Sequence, residues 1–194
     1  MSQSVKIPGA AGKAPRFVRR SEWTTQPWKN GKGVTHEVLR WSRPGQGAAA
    51  DSTSFDLRVS VAEIEGAQPF SLFPGIERVL VPLEDNDLVL AIYALEEPMT
   101  KHRILRFSGE VPAATKGTGR ASDLNVMWPR GRDVRVELAA IESTVDSRKL
   151  VVFALAPTRI ETARGTIDMD THDTWLASDE RAPRASVPVV WIRY

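Results

Sequence analysis

The fold is decided by residues 55–61, Phe-Asp-Leu-Arg-Val-Ser-Val, in which apolar and polar side chains alternate without a break. Successive side chains of an extended strand point to opposite faces, so the four apolar residues share one face and Arg58 and Ser60 share the other. The pattern predicts a half-buried β-strand whose apolar face meets a core. Arg58 and Ser60 then face either solvent or the interior of a barrel.

Strand-like segments of the same kind recur along the chain, separated by Gly, Pro and Asn-Asp turns. No amphipathic helix longer than about three turns fits the 3.6-residue period. Many short strands at regular spacing are typical of an antiparallel β-sandwich or barrel, so we predict an all-β fold. The other predicted strands are residues 34–41, 76–83, 88–93, 104–107, 123–128, 134–141, 150–156, 174–176 and 187–194. Predicted loops are residues 42–54, 69–75 and 109–122.

Composition limits the classes of function. The chain has 194 residues, 42% of them hydrophobic, which is enough for one large all-β domain. Cysteine is absent, which excludes disulfides, thiolate metal sites and a Cys nucleophile and fits a reducing compartment. The 26 Lys and Arg are nearly balanced by 24 Asp and Glu and are scattered, so nucleic acid is not an expected partner.

The chain ends and the domain organisation follow from local composition. Residues 1–15, rich in Gly, Ala, Ser and Lys, are predicted to be a flexible N-terminal tail, and residues 16–194 a single domain. The sequence has no signal-peptide pattern and no apolar stretch of membrane-spanning length, so we expect a cytoplasmic protein that does not bind membranes.

A glycine-rich turn occupies residues 28–38, Trp-Lys-Asn-Gly-Lys-Gly-Val-Thr-His-Glu-Val. Gly31 and Gly33 allow positive φ and let a loop backbone approach a partner closely. Polar side chains that can meet a ligand flank this turn, namely Lys29, Asn30 and Glu37. The same residues would also suit an ordinary hairpin.

Patterns for a metal or a nucleophile are missing from the sequence. The histidines His36, His102 and His172 lie far apart, without the close spacing that turns several imidazoles toward one cation. His36 and Glu37 fall on opposite faces of a strand. Ser71 is not in a Gly-x-Ser-x-Gly elbow, and the glycine turn lacks the Gly-Lys-Ser/Thr ending of a phosphate loop. We therefore predict no metal and no cofactor.

The remaining polar residues favour recognition of a small anion. Lys29, Arg58 and Arg78 could supply positive charge, and an arginine forms a bidentate pair with a carboxylate. Candidates for hydrogen bonds and apolar walls of a pocket are Asn30, Thr35, Ser60, Asn125, Trp28, Phe70, Phe73 and Met127. Each has an alternative structural role: Arg58 could pair with Glu37 or Asp56 across the sheet, Lys29 could be solvated, and the phenylalanines could be core residues.

Four motifs resemble the HutD/Ves family in order and spacing, over about residues 16–191. They are Trp-Lys-Asn-Gly-x-Gly-Val-Thr at 28–35, Pro-Phe-Ser-x-Phe-Pro-Gly-x-x-Arg at 69–78, Asp-Leu-Asn-Val-Met at 123–127 and Asp-Thr-Trp-Leu at 173–176. Two positions depart from the family pattern. Lys32 interrupts a glycine triplet, and His36 stands where an arginine is frequent.

The resemblance implies a bicupin-like β fold without the cupin metal set, built of two cupin-like halves with a seam near residues 95–122. HutD proteins are associated with histidine-utilisation operons, where they resemble modulators of induction that bind a small carboxylate such as urocanate or formylglutamate. Ves is associated with the cold response, so the resemblance leaves the pathway open. The positions that match the family motifs are Lys29, Asn30, Gly31, Thr35, Glu37, Phe70, Ser71, Phe73, Pro74, Arg78, Asp123, Asn125 and Met127.

Two functions follow as hypotheses. The favoured one is a non-enzymatic protein that binds a small carboxylate through these residues, together with Arg58 and Ser60, and modulates histidine utilisation. The alternative is a metal-independent enzyme that acts on a small organic acid, with Glu37 or Asp123 as the general base. An edge strand at residues 187–194 could close either a barrel or a homodimer, and composition leaves both open.

Overall fold

The structure is a computed structural model that describes residues 16–28, 31–42, 54–141, 149–162, 165–178 and 183–194. Over these residues the regular structure is β-strand apart from one 3-10 turn, η1 (Arg20–Glu22). The strands are β1 (Arg16–Val18), β2 (Thr24–Pro27), β3 (Gly33–Trp41), β4 (Leu57–Glu65), β5 (Ile76–Pro82), β6 (Val89–Ile92), β7 (Leu95–Pro98), β8 (Leu105–Ser108), β9 (Ala113–Lys116), β10 (Arg120–Pro129), β11 (Arg135–Ile141), β12 (Lys149–Ala154), β13 (Thr158–Thr162), β14 (Gly165–Met169), β15 (Thr174–Ser178) and β16 (Arg184–Arg193). The predicted all-β, bicupin-like antiparallel fold is confirmed.

Several details of the sequence-based prediction differ from the structure. Strands β1, β2 and β7 were not predicted, and the strand predicted at an edge, residues 187–194, is β16, which pairs with β11, β12 and β13. Residues 109–122 were predicted to be a loop, but they contain β9 and the start of β10. The short alternation of buried Ala113 and Thr115 forms a strand because β6 offers it a complete antiparallel partner. The β13–β14 hairpin was also missed. The predicted tail at residues 1–15 and most of the predicted loop at 42–54 lie outside the described residues.

The chain separates into two compact units. The described part of the first unit lies within Thr24–Gly131, and that of the second unit comprises β1 to Trp23 and Arg132–Tyr194. Residues 95–122, where the seam was predicted, belong to the first unit. The division into two cupin-like halves stays a prediction.

The first unit consists of a six-stranded sheet, in the order β2-β3-β4-β10-β5-β8, and a three-stranded sheet, β7-β6-β9. One buried cluster joins the two sheets, because it contains Ala62 and Leu80 from the larger sheet and Leu90 and Ala113 from the smaller one. The alternation that predicted a strand at 55–61 is present in β4, where Val59 is fully buried.

Strand register decides which side chains of the larger sheet lie together. Asn125 on β10 stands opposite Ser60 on one side and Leu80 on the other. Met127 likewise stands between Arg58 and Arg78. Residues opposite each other in a ladder project from the same face, so these polar side chains share the face on which Leu80 joins the core.

The second unit is a seven-stranded antiparallel sheet, in the order β1-β15-β12-β16-β13-β14, with β11 paired to β16. Its main core cluster is apolar and includes Leu150, Val152, Trp175 and Trp191. The Trp191 indole Nε1 donates a hydrogen bond to the Ala139 carbonyl oxygen at 2.9 Å. Within the described ranges, no helix has the length and apolar character needed to cross a bilayer.

Candidate functional site

Charged and amide side chains gather on one face of the six-stranded sheet. We call this set the polar face, and it consists of Glu37, Arg40, Arg58, Arg78, Asp123 and Asn125. Charged groups are rarely buried without partners. Their presence together on a face that elsewhere packs against a core therefore marks a candidate functional site.

Arg78 on β5 is the central cation of the polar face and is only 5% exposed. Its guanidinium carbon lies 5.0 Å from the ring centre of Phe70, 5.7 Å from that of Phe73 and 4.9 Å from that of Phe107. Aromatic faces attract cations within about 6 Å, so the three rings hold the charged group in place. The 69–75 loop carries two of the rings, which explains its aromatic and proline-rich sequence.

The hydrogen bonds of Arg78 use only part of its guanidinium. Its Nη2 donates to Asn125 Oδ1 at 2.9 Å, and its Nη1 makes a long contact of 3.5 Å with the Ser71 carbonyl oxygen. Its Nε is buried and has no hydrogen-bond partner among the described residues. Burial lowers the pKa of Arg78 to about 10, despite the attraction of Asp123, so the group stays a cation at neutral pH.

Asp123 on β10 is fully buried two residues before Asn125. Its Oδ1 accepts a hydrogen bond from Asn125 Nδ2, and its Oδ2 has no partner among the described residues. Burial raises the pKa of Asp123 to about 7, because the charge of Arg78 and the hydrogen bond from Asn125 offset only part of the desolvation. Both protonation states are therefore populated near neutral pH.

Glu37, Arg40 and Arg58 form a second cluster on the polar face. Glu37 Oε2 accepts hydrogen bonds from Arg40 Nε at 3.1 Å and from Arg58 Nε at 3.2 Å. The register of β3 against β4 shifts between Glu37 and Leu39. This β-bulge adds one residue to the strand, so Glu37 and Arg40 project from the same face instead of opposite ones. Arg58 has its pKa lowered, mainly by burial.

The charge balance of the polar face is positive. It contains three guanidinium groups and two carboxyl groups, and the Asp123 carboxyl is partly neutral near pH 7. No cluster of three or more potential metal ligands occurs in the described part of the chain. The arrangement is therefore suited to an anion of small size, with aromatic rings beside the cation that would receive it.

The structure brings most of the predicted site residues together. Phe70, Phe73 and Asn125 surround the Arg78 guanidinium. Arg58 pairs with Glu37, which is the structural alternative given for it above. The other predicted residues on or beside this face are Ser60, Asp123 and Met127. Lys29 and Asn30 lie outside the described residues. That any of these residues touches a ligand stays a prediction.

Three predicted residues take roles other than the expected ones. The Ser71 side chain is exposed, and only its carbonyl oxygen meets Arg78. Thr35 Oγ1 accepts a hydrogen bond from Trp28 Nε1 at 2.8 Å. Gly31 has the expected positive φ of 71°, but Gly33 does not; a Cβ at Gly33 would lie 2.5 Å from the Glu63 carbonyl oxygen and 2.8 Å from the Trp28 ring. Gly33 is therefore required by close packing.

Sequence reasoning missed two contributors. Arg40 was missed because strict alternation assigns it to the face opposite Glu37, and only the bulge reverses that assignment. The adjacent apolar pair Val38-Leu39, which interrupts the alternation, was the available signal. Phe107 was missed because β8 is short and distant in sequence, although it pairs directly with Arg78 in the sheet.

Comparison with known proteins places the chain in a family. The family model HutD matches residues 20–189. The chain belongs to the HutD family. The match covers both compact units, and the family is linked to histidine utilisation through HutD and through the hutC region in which a relative is found.

Two curated relatives of this HutD-family chain are similar in sequence. Protein Ves of Citrobacter koseri is 35% identical over 134 residues, which are 66% of this chain and 66% of that protein. An uncharacterised 21.2 kDa protein from the hutC 3′ region of Pseudomonas putida is 31% identical over 115 residues, which are 58% of this chain and 57% of that protein. The alignments thus span between half and about two thirds of these relatives.

A solved structure supports the fold over nearly the whole chain. HutD from Pseudomonas fluorescens SBW25 superposes with a TM-score of 0.80 at 21% identity, over 93% of this chain and 97% of that one. At this identity the likeness concerns the fold.

Proposed function

We propose that this HutD-family chain is a non-enzymatic protein that binds a small carboxylate at the polar face of its first unit and thereby modulates histidine utilisation. The observation that carries the proposal is the buried Nε of Arg78, which has no partner in the described structure. A buried donor that is left unpaired costs about 1–3 kcal/mol, and more when the group is charged. A ligand carboxylate would satisfy it with a charge-assisted hydrogen bond.

The surroundings of Arg78 support a receptor that is formed before the ligand arrives. Asn125 holds one end of the guanidinium, and the rings of Phe70 and Phe107 flank it. A cation that is already held in place loses little conformational freedom on binding. The aromatic rings would also pack against a planar or apolar part of the acid, which suits urocanate. Formylglutamate offers the same carboxylate chemistry on a flexible chain.

Thermal unfolding with candidate ligands tests the proposal. A ligand that binds only the folded protein raises the melting temperature by mass action. We expect urocanate or formylglutamate at millimolar concentration to raise it, and Arg78→Met to abolish the rise. Arg78→Lys, which keeps the charge but removes Nε, should lose most of it.

Arg193 provides a matched control, because it is a largely buried arginine of the second unit that pairs with Glu137 at 2.7 Å. Arg193→Met should retain the ligand-induced rise even if the variant is less stable. Absence of any rise with both acids, or an undiminished rise in Arg78→Met, would contradict the proposed function.

One observation favours the alternative of a metal-independent enzyme. Asp123 has a pKa raised to about 7 by burial, and a general base works best when its pKa is close to the operating pH. Glu37 is the weaker candidate, since its Oε2 already accepts hydrogen bonds from Arg40 and Arg58. Product formation from either acid in chelator-treated protein, lost in Asp123→Asn, would replace the binding proposal with the enzymatic one.

A further inference from the structure

The feature that the carboxylate proposal does not use is the second unpaired atom of the polar face, Asp123 Oδ2. Asp123 is fully buried, and this oxygen has no partner among the described residues. Its other oxygen accepts from Asn125 Nδ2. The carboxyl group is thus half satisfied, and desolvating the remaining oxygen carries the cost of any buried acceptor left unpaired.

Asn125 links the two residues that carry the unpaired atoms. Its Oδ1 accepts from Arg78 Nη2, and its Nδ2 donates to Asp123 Oδ1. Arg78 and Asp123 therefore bond to the two different polar atoms of one amide group. A single carboxylate that satisfies Arg78 Nε would leave Asp123 Oδ2 unpaired, so a ligand that satisfies both atoms needs two polar groups at separate positions.

The two unpaired atoms, Arg78 Nε and Asp123 Oδ2, require ligand groups of opposite hydrogen-bonding character. Arg78 Nε is a donor attached to a cation and takes an acceptor with negative charge. Asp123 Oδ2 in its ionised form only accepts hydrogen bonds. The ligand should therefore be an acid at one end and a donor at the other.

We propose that the acid received at Arg78 also carries an N–H group, and that Asp123 Oδ2 accepts the hydrogen bond from this group. This rests on the proposed function of Arg78 as the carboxylate receptor. Asp123 then acts as a specificity-determining residue, which selects N-heteroaromatic acids and N-acylated amino acids over acids of the same shape that lack the N–H. The aromatic rings beside Arg78 suit the planar members of this class.

The opposite assignment, in which a neutral Asp123 donates its proton to a ligand oxygen, predicts a different pH dependence. The charged groups that share the face are Arg78 on β5, Arg58 on β4, and Glu37 and Arg40 on β3. Arginines stay charged throughout, so Asp123 is the group whose state changes near neutral pH. An N–H ligand should bind more tightly as Asp123 ionises, whereas an acceptor ligand should bind less tightly.

Two isosteric probes separate these cases. Pyrrole acrylate carries a ring N–H, and furan acrylate carries a ring oxygen at the same position; neither ring titrates near neutral pH. We expect calorimetry at pH 8 to show pyrrole acrylate bound about 10- to 100-fold more tightly, the range for one hydrogen bond to a charged group. Asp123→Asn, which keeps the side-chain volume, should remove most of this preference while acrylate binding through Arg78 persists.

Asp173→Asn is the matched control, because Asp173 is a buried carboxylate of the second unit. It should leave the pyrrole-to-furan ratio unchanged. Equal binding of the two acrylates, both lost in Arg78→Met, would overturn the role of Asp123 and leave the carboxylate proposal standing. Preference for furan acrylate, falling affinity for pyrrole acrylate between pH 6 and 8, or no acrylate binding by a protein that urocanate stabilises would also overturn it. Failure of every acid to bind would instead defeat the proposed function itself.

Discussion

The two units of this chain build antiparallel sheets in similar ways and fill them differently. In the first unit, the face of the large sheet that reaches the core carries Arg58, Arg78 and Asp123. The main cluster of the second unit contains Trp175, Trp191 and aliphatic residues in comparable burial. Both fillings are compatible with a β fold, but only the charged one is costly in the absence of a ligand.

The two units also differ in which of their buried polar atoms lack a hydrogen bond. The second unit also has buried atoms without a hydrogen bond among the described residues. They include the neutral Thr174 Oγ1 and Trp175 Nε1, and also the Nε of the Arg193 guanidinium, whose Nη2 donates to Glu137. On the polar face the unpaired atoms belong to two groups of opposite charge that share one amide partner, Asn125: the Arg78 guanidinium and the Asp123 carboxyl group. Charged groups lose more solvation free energy on burial than neutral ones. The proposed ligand recognition rests on this pair of opposite charges around Asn125, whereas the apolar cluster of the second unit contributes stability through burial.

The largest expected effect comes from removing the apolar filling of the second unit. Trp191 is 1% exposed and donates a hydrogen bond to Ala139. Trp191→Ala should lower the free energy of unfolding by about 3–5 kcal/mol, measured by urea denaturation, because it leaves a large cavity. Leu95→Ala, at a position 69% exposed, serves as the control and should change it by less than about 0.5 kcal/mol. If Trp191→Ala lowered the free energy of unfolding only slightly, the apolar cluster of the second unit would not have the stabilising role described above.

The second-largest expected effect is a pH-dependent gain of stability when Asp123 of the first unit is replaced by Asn. The folded-state pKa of Asp123, about 7, lies above its ordinary value of 3.8. Between these values the folded protein binds more protons than the unfolded chain, so this group makes the free energy of unfolding fall as pH rises through that window. Asp123→Asn cannot ionise at this position, so it should not show this fall in the free energy of unfolding. At pH 8 it should be more stable than the parent protein by about 2–4 kcal/mol.

The advantage of Asp123→Asn should vanish near pH 4, which urea denaturation across the pH range would show. Asp168 is an exposed carboxylate whose pKa is lowered by its hydrogen bond with Arg159, so Asp168→Asn should show no such gain at pH 8. A variant Asp123→Asn that is less stable than the parent protein at pH 8 would mean that the buried carboxylate is fully satisfied.

A smaller effect separates stability from binding on the polar face. Glu37 is the shared carboxylate partner of Arg40 and Arg58 and offsets one of their two positive charges. Glu37→Gln should lower the free energy of unfolding by about 1–3 kcal/mol, because two guanidinium groups lose a charged acceptor. The same change makes the face more positive and should tighten carboxylate binding by about threefold to tenfold, measured by calorimetry.

Glu137→Gln offers the corresponding change in the second unit, where Glu137 accepts a hydrogen bond from Arg193. Carboxylate affinity should be unaffected in that variant. Weaker binding in Glu37→Gln would show that Glu37 contacts the ligand directly.

The smallest effect concerns a residue that sequence analysis placed in the site. The Ser71 side chain is exposed and only its carbonyl oxygen approaches Arg78. Ser71→Ala should change the free energy of unfolding by less than about 0.5 kcal/mol and leave carboxylate affinity unaltered. A marked loss of affinity in Ser71→Ala would indicate that the ligand binds at the 69–75 loop instead of at the sheet.

Much of the first unit could be predicted from local patterns. The alternation around Arg58 and Ser60 predicted their common face. The strand predicted at residues 123–128 likewise requires Asp123, Asn125 and Met127 to share one face, as they do in β10. Side-chain direction in a regular strand depends only on position along the chain, so such patterns can be read without tertiary information.

The missed features depend on contacts between distant segments. Arg40 joins Glu37 because of a bulge that regular alternation cannot express, and Phe107 reaches Arg78 through strand pairing across thirty or so residues of sequence. Strand β9 was missed because its small side chains become a strand only when β6 pairs with them. The unpaired atoms of Arg78 and Asp123 are equally invisible in sequence, since satisfaction of a polar group is a property of its surroundings.

An NMR titration that follows the Arg78 Nε–H resonance would show whether a ligand carboxylate binds at Arg78. With urocanate added at pH 8, we expect this signal to shift and saturate, because the carboxylate becomes its hydrogen-bond partner. The Arg193 Nε–H signal of the second unit should stay in place. An unchanged Arg78 signal in protein that binds urocanate, or a shift confined to Arg193, would contradict the assignment of the polar face as the ligand receptor.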